Sequence, residues 1–282
     1  GFPAYYNDEV IIPSLMSRGL TLEDARDYNI IGCVEPQKSG KTDGWHDAAF
    51  FNMVRPLEMV FKNGVEDGEK VGPQTGDVSE FDTFEEFYDA YKSQSDYFVS
   101  LLVNADNAID VAHAERCPLP FLSSMIEDCV KRGKSVQEGG AIYNFTGPQG
   151  FGIANMADAM WAVKKLVFED GKYTLPFIKE ALDNNYGEDL DDQNAEKLTL
   201  TVCKRLAAEG KNLSADDVKK IYETVKTNPC SENDKARYKA LLKDIQALPK
   251  YGNDVKEVDE FAREIAYVYT KKLETFRNPR GG

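Results

Sequence analysis

Basic charge is scarce in this 282-residue chain: 34 Lys and Arg stand against 48 Asp and Glu, a formal net charge of -14. Nucleic-acid backbones and anionic membrane surfaces both need clustered Lys and Arg, so neither is expected as a partner. Long apolar runs are missing too. The longest candidates, 109–112 and 141–153, are short or broken by Gly and polar residues, far from the roughly 18 residues of a membrane span. No charged-then-apolar leader follows Gly1, so no signal peptide is visible. The cysteines Cys33, Cys117, Cys129, Cys203 and Cys230 are odd in number, scattered and without a CxxC pair. They imply neither a disulfide framework nor a metal site, and they point to a reducing, cytoplasmic setting. Internal repeats and low-complexity tracts are absent. The Gly-rich stretch 147–152 lacks the Gly-Lys-Ser/Thr ending of a phosphate loop and the dinucleotide fingerprint.

What is present suffices for a substantial core: 42% of residues are hydrophobic, and the length allows one large or two ordinary domains. Residues 8–16 read as an extended or loop entry. Thr21-Leu-Glu-Asp24 opens a short helix, and Asn29-Ile-Ile-Gly32 is a brief β-prone run. A helix is expected from about Asp47 to Asn63, on the spacing of Phe50, Phe51, Val54, Leu57 and Val60. Thr83-Phe-Glu-Glu86 is a capping box before a long amphipathic helix to about His113, ended by Pro118 and Pro120. Residues 121–132 read as a short helix and 139–152 as strand then loop. Residues 155–168 and 175–184 read as helices. Residues 186–250 hold 12 acidic and 12 basic residues, so the whole net charge lies outside them. They are expected to form a solvated helical insertion. A last helix around Val258–Lys272 stops before Asn278-Pro279.

The most informative segment is Ile31-Gly32-Cys33-Val34-Glu35-Pro36-Gln37. Pro36 keeps it from being helical, and in an extended loop positions i and i+2 project to one side. The Cys33 thiol and the Glu35 carboxylate can therefore face one small substrate. Ordinary nucleophilic catalysis is poorly served, because a neighbouring anion disfavours the thiolate. A neutral thiol beside a carboxylate suits hydrogen-atom transfer at sulfur with proton transfer at oxygen. The competing reading is a buried Cys beside a surface Glu. His46 beside Trp45 reads as an orienting or surface residue, His113 as a structural residue in a helix, and Glu115 with Arg116 as an ion pair.

Gly32-Cys33-Val34-Glu35-Pro36-Gln37 resembles the cysteine loop of the glycyl radical enzymes, the pyruvate formate-lyase-like family. Gly139–Phe145 with Gly147-Pro148-Gln149-Gly150, and Asn278-Pro279-Arg280-Gly281-Gly282, resemble two further stretches of that family. Val34 after Cys33 departs from the adjacent cysteines of pyruvate formate-lyase and looks like the eliminases. Gly40-Lys-Thr-Asp-Gly-Trp-His-Asp47, His113–Arg116 and Leu119–Ser124 are similar to the B12-independent glycerol and 1,2-propanediol dehydratases. The length of 186–250 fits a propanediol-type member better.

The resemblance implies an α/β fold: part of a ten-stranded α/β barrel with a helical outer shell. Residues 1–282 would then form a partial catalytic barrel domain around the insertion at 186–250. It implies a lyase in which Cys33, as a thiyl radical, takes hydrogen from C1 of a small polyol. Glu35 would act as general base and Asp47 would bind the hydroxyls. Asp47 at a helix start would stay anionic while Glu35 has the raised pKa. The implied cofactor is a glycyl radical on a glycine beyond Gly282, with neither B12 nor a metal. The implied partners are a radical-SAM activating enzyme and a second copy in a homodimer, in the cytoplasm, whether free or inside a bacterial microcompartment. The start without Met and the Arg-Gly-Gly end suggest a piece of a longer protein, inactive alone, with the leaving-group acid before Gly1. Two alternatives stay open: a C–N or C–S lyase acting on choline or isethionate, and a non-catalytic interaction fragment.

Overall fold

The computed structural model describes residues 6–282, which divide into two compact units. The first holds the chain up to Thr75, Tyr88–Met156 and Glu260–Gly282; the second holds Gly76–Phe87 and Ala157–Asp259. No helix among the described residues is long and apolar enough to cross a membrane.

In the first unit, helix α1 (Asp8–Ser17) occupies the segment whose sequence suggests an extended or loop entry. Asn7 decides the outcome, since its side-chain oxygen accepts the Glu9 N–H at 3.0 Å. Asp8 and Glu9 add favourable charge to the first turn. Pro13 lies inside the helix and removes one internal hydrogen bond. Tertiary burial offsets that loss: Leu15, Leu20, Ala25 and Tyr143 form a buried cluster against which Ile11 and Ile12 pack. Helix α2 (Leu22–Arg26) starts as expected, with the Thr21 hydroxyl accepting the Asp24 N–H at 3.1 Å. Strands β1 (Asn29–Ile31) and β2 (Glu35–Gln37) then pair antiparallel around a turn at Gly32–Val34.

The segment from Asp47 is not the expected helix. Strand β3 runs Thr42–Asn52, and only Arg55–Phe61 (α3) is helical. Phe50 is 64% exposed and Phe51 8%, the alternation of a strand. The apparent helical period came from joining the end of a strand to a short helix. A small hairpin, β4 (Val65–Glu66) and β5 (Glu69–Lys70), precedes α4 (Phe84–Arg116). Two short helices, α5 (Pro120–Met125) and α6 (Cys129–Arg132), follow. Strand β6 (Tyr143–Phe151) pairs parallel with β3.

The register of β3 on β6 explains the Gly-Pro-Gln-Gly run residue by residue. His46 pairs with Gly147, but the next pair is Phe50 with Gln149, so Asp47, Ala48 and Ala49 bulge opposite Pro148. Proline has no N–H to give the ladder, and a bulge is where a strand tolerates it. Asp47 takes a left-handed backbone there, φ +56, which Asp accepts better than most residues. Gly150 leaves room for Tyr269, whose ring stacks on Phe51 at 5.1 Å and whose hydroxyl donates to the Pro148 carbonyl at 3.0 Å.

Helix α7 (Ile153–Val163) begins in the first unit and enters the second at Ala157. There it passes into a π-helical turn at Lys164–Glu169, and α8 (Leu175–Asp183) follows. The π-turn ring of Phe168 meets Phe84 and Phe87. The stretch 186–250 forms α9 (Asp192–Ala208), α10 (Ala215–Lys226) and α11 (Glu232–Ala247). Helix α10 buries no residue and opens with the expected capping box, Ser214 with Asp217. Helix α11 does have a core face: Tyr238 and Leu241 are buried, and the Tyr238 hydroxyl donates to Glu180 Oε1 of α8 at 2.8 Å. Helix α12 (Lys256–Leu273), which from Glu260 on belongs to the first unit, is the expected last helix.

A Cβ at Gly150 would lie 2.8 Å from the Tyr269 ring. Gly150→Ala should therefore destabilise the protein by about 1–3 kcal/mol, read from a urea unfolding midpoint. A variant as stable as the parent would contradict this account of β6.

Candidate active site

Cys33 sits at the tip of the β1–β2 turn with its thiol exposed. Gly32 before it has φ +59, and a Cβ there would come 2.8 Å from Glu35 Oε2. Glycine is thus required both for the backbone and for the carboxylate that folds over it. Glu35 Oε2 accepts the N–H groups of Cys33 at 2.9 Å and Val34 at 3.0 Å. Oε1 accepts from Gln149 Nε2 of β6 at 3.2 Å. These donors, the Val34 N–H above all, hold the Glu35 carboxyl below the usual carboxylate range against the cost of its partial burial.

The sequence had suggested the opposite, a raised Glu35 beside an Asp47 served by a helix start. Asp47 lies in a strand bulge and has no helix start to serve it. The free N–H donors belong to the Cys33 turn, and they serve Glu35.

A cavity of about 440 Å³ opens beside the turn. Gly32 and Glu35 line it from the turn, Asp43 to Asp47 from β3, Asp110 and His113 from α4, and Arg280 from the C-terminal segment. The structure thus brings together Glu35, Asp47, His46 and His113. Cys33 is flanked by the cavity wall at Gly32, but its own side chain is not part of the lining. His46 fills a slot made by two glycines. A Cβ on Gly44 would meet its ring carbons at 2.9 Å, and one on Gly147 would lie 3.3 Å from Nδ1. Burial pushes its pKa below the ordinary histidine value, although Glu35, Asp47 and Asp43 pull the other way. Its Nε2 is buried without a partner. The imidazole is therefore neutral near pH 7. His113 in α4 packs edge-on against Trp45, ring centroids 5.6 Å apart, as suits a structural residue.

The sequence did not reveal the role of Arg280, which is buried among the cavity walls. Its Nε donates to Asp110 Oδ2 at 2.9 Å. Nη1 donates to the Asp43 carboxylate and, at 3.1 Å, to the Asp43 carbonyl. Nη2 donates to the Phe145 carbonyl and, at 3.1 Å, to Thr146 Oγ1. A guanidinium has five N–H donors, and all five are used. Burial raises the Asp43 carboxyl above its ordinary value even though Arg280 works against that shift. Asn278 hooks the same segment onto β6: its Nδ2 donates to Thr146 Oγ1 at 2.9 Å, and its Oδ1 accepts the Arg280 and Gly282 N–H groups. Gly139 makes room, since a Cβ there would lie 2.5 Å from the Arg280 carbonyl oxygen. The available signals were a charged residue set between Pro279 and Gly281, outside any helix, and its place in a stretch that resembles the family.

The sequence model of the family described as "Pyruvate formate lyase-like" matches residues 1–282. Among solved structures, one from work on 1,2-propanediol dehydration in Roseburia inulinivorans is similar over 100% of this chain and 34% of its own. The TM-score is 0.89 at 57% identity. The glycerol-bound B12-independent glycerol dehydratase of Clostridium butyricum is similar over 100% of this chain and 30% of its own, with TM-score 0.78 and 47% identity. The (2S)-3-sulfopropanediol dehydratase of Klebsiella oxytoca is 39% identical over 66% of this chain and 23% of its own length. The chain thus spans about a third or less of these relatives.

Arg280→Met would leave Asp110 and Asp43 unpaired in a buried place, at a cost of about 3–5 kcal/mol. A buried carboxyl whose folded pKa lies above its unfolded value favours folding at low pH and loses that contribution as the pH rises. The deficit of Arg280→Met against the parent, measured by urea unfolding, should therefore narrow as the pH falls from 7 towards the ordinary carboxylate range. A deficit independent of pH would refute the assignment.

Proposed function

The chain belongs to the pyruvate formate lyase-like family, and on that premise we propose that the protein containing it is a glycyl radical dehydratase of a small neutral diol, yielding an aldehyde and water. The fold is a fragment of the glycyl radical enzyme barrel, to which the parallel β3–β6 pair belongs. One observation carries the choice of a neutral substrate. Glu35, Asp43, Asp47 and Asp110 all line the cavity, and the one Lys or Arg in that lining, Arg280, has no N–H donor left. A sulfonate or carboxylate entering there would lose its hydration and meet like charge. A diol brings hydroxyls that can donate to carboxylates.

In this reading the family's glycyl radical supplies the one-electron oxidising capacity that lets Cys33 accept a hydrogen atom. The exposed Cys33 thiol beside an anchored carboxylate fits that task. Cys33 Sγ takes hydrogen from C1 and later returns it to the product. Glu35, held ionised by the turn amides, takes the C1 hydroxyl proton. The C2 hydroxyl leaves as water with a proton from the leaving-group acid that the family resemblance puts before Gly1, and the proton on Glu35 restores that acid before the next turnover. Asp47, turned by the bulge onto the cavity wall, accepts from a substrate hydroxyl. His46 stays neutral and shapes the wall. Residues 186–250 would be an insertion outside this chemistry. The activating enzyme and the dimer implied by the family are part of the same proposal.

The activated full-length protein should convert 1,2-propanediol to propanal and leave (2S)-3-sulfopropanediol essentially untouched. Cys33→Ser and Glu35→Gln should each lower turnover by at least about 10⁴-fold while folding stays intact. Because the Glu35 carboxyl lies below the ordinary glutamate value of about 4.3, kcat/KM should show no acid limb from it above pH 5. Preferred turnover of the sulfonate, or of choline, would overturn the proposal.

A further inference from the structure

Glu35 is anchored on both oxygens, but from different places. Oε2 is tied to its own turn by the Cys33 and Val34 N–H groups, at 2.9 and 3.0 Å. Oε1 is tied to Gln149, 114 residues away on β6. The bulge at Asp47 sets which β6 residue reaches it, since the pairing resumes with Phe50 opposite Gln149. With two amides on Oε2, Oε1 is the oxygen with room for a proton, and that is the oxygen Gln149 touches. A primary amide has a property that no apolar, cationic or anionic side chain of similar length shares. It donates through nitrogen to a carboxylate and, turned over, accepts through oxygen from a carboxylic acid. One residue can then satisfy both states of a base that gains and loses a proton each turnover.

We propose that Gln149 is a positioning residue for Glu35, whose side-chain amide donates to Oε1 while Glu35 is ionised and turns over to accept from the Oε1 hydroxyl once the substrate proton has arrived. This inference rests on Glu35 being the base of the proposed reaction. The balance is simple: the proton moves from the C1 hydroxyl to Oε1, and Gln149 neither gains nor loses one. Besides Cys33 on its own turn, the charged or titratable groups that share the cavity lining with Glu35 are Asp43, His46 and Asp47 on β3, Asp110 and His113 on α4, and Arg280. His46 feels the charge of Glu35, but its buried Nε2 has no hydrogen-bond partner.

The test uses activated full-length protein and the pH dependence of kcat/KM for 1,2-propanediol, with Gln149→Leu, Gln149→Glu and Glu35→Gln. Gln149→Leu removes both the donor and the acceptor. It should lower kcat about tenfold, the loss expected for a hydrogen bond to a charged group, and move an acid limb up by about one pH unit, into the measurable range. Gln149→Glu, nearly the same size, places a second carboxylate on Oε1 and should move the limb further. Diol affinity of the unactivated protein, measured by calorimetry, should change less than threefold in both, because Gln149 does not line the cavity. If Gln149→Leu fails to fold by circular dichroism, the near-isosteric Gln149→Glu decides alone. A limb and kcat unchanged in the folded variants, with Glu35→Gln inactive, would overturn this inference and leave the base assignment standing. Full turnover by Glu35→Gln would overturn both.

Discussion

One buried guanidinium holds the candidate site together. Arg280 joins β3 through Asp43, β6 through Phe145 and Thr146, and α4 through Asp110, three elements far apart in sequence. Desolvating a guanidinium and two carboxylates is expensive, and the arrangement stands because every donor is met. Asn278 and the bare backbone at Gly139 bring the Arg280 segment to that position. Without this contact the β3–β6 pair would keep its ladder and would be tied to the helix that carries Asp110 and His113 through the Trp45–His113 ring contact but no longer through Asp110.

The strand pair in turn sets the chemistry of the turn beside it. Three β3 residues oppose Pro148, and this bulge puts Asp47 on the cavity wall and Gln149 on Glu35. The two glycines at 44 and 147 give His46 a slot that only backbone atoms could leave open. The carboxylates around the cavity then have unequal surroundings. Glu35, rich in amide donors, is drawn down, while Asp43, buried against Arg280, is pushed up. That separation follows from where N–H donors lie, and it runs opposite to a guess based on helix starts.

The sequence carried the local features well, because they depend on short-range physics. The capping residues Thr21, Thr83 and Ser214 mark real helix starts. The prolines after Arg116 end the long helix, and the Cys33–Glu35 spacing places thiol and carboxylate on one turn. The three quoted stretches were enough to identify the family. The helix at Asp8–Ser17 was not read from the sequence, although Asn7 caps it and Leu15 with Ile11 and Ile12 gives it an apolar face.

What the sequence could not contain was everything set by pairing across about a hundred residues. Whether Asp47 starts a helix or sits in a bulge depends on β6, which no local period near Asp47 reports. The partners of Glu35 and Arg280 come from residues 114 and 237 positions away. Residue type fixes which groups can ionise or donate. Only the tertiary structure decides which donor meets which acceptor, and hence whether a given carboxylate is held ionised or driven towards its acid form.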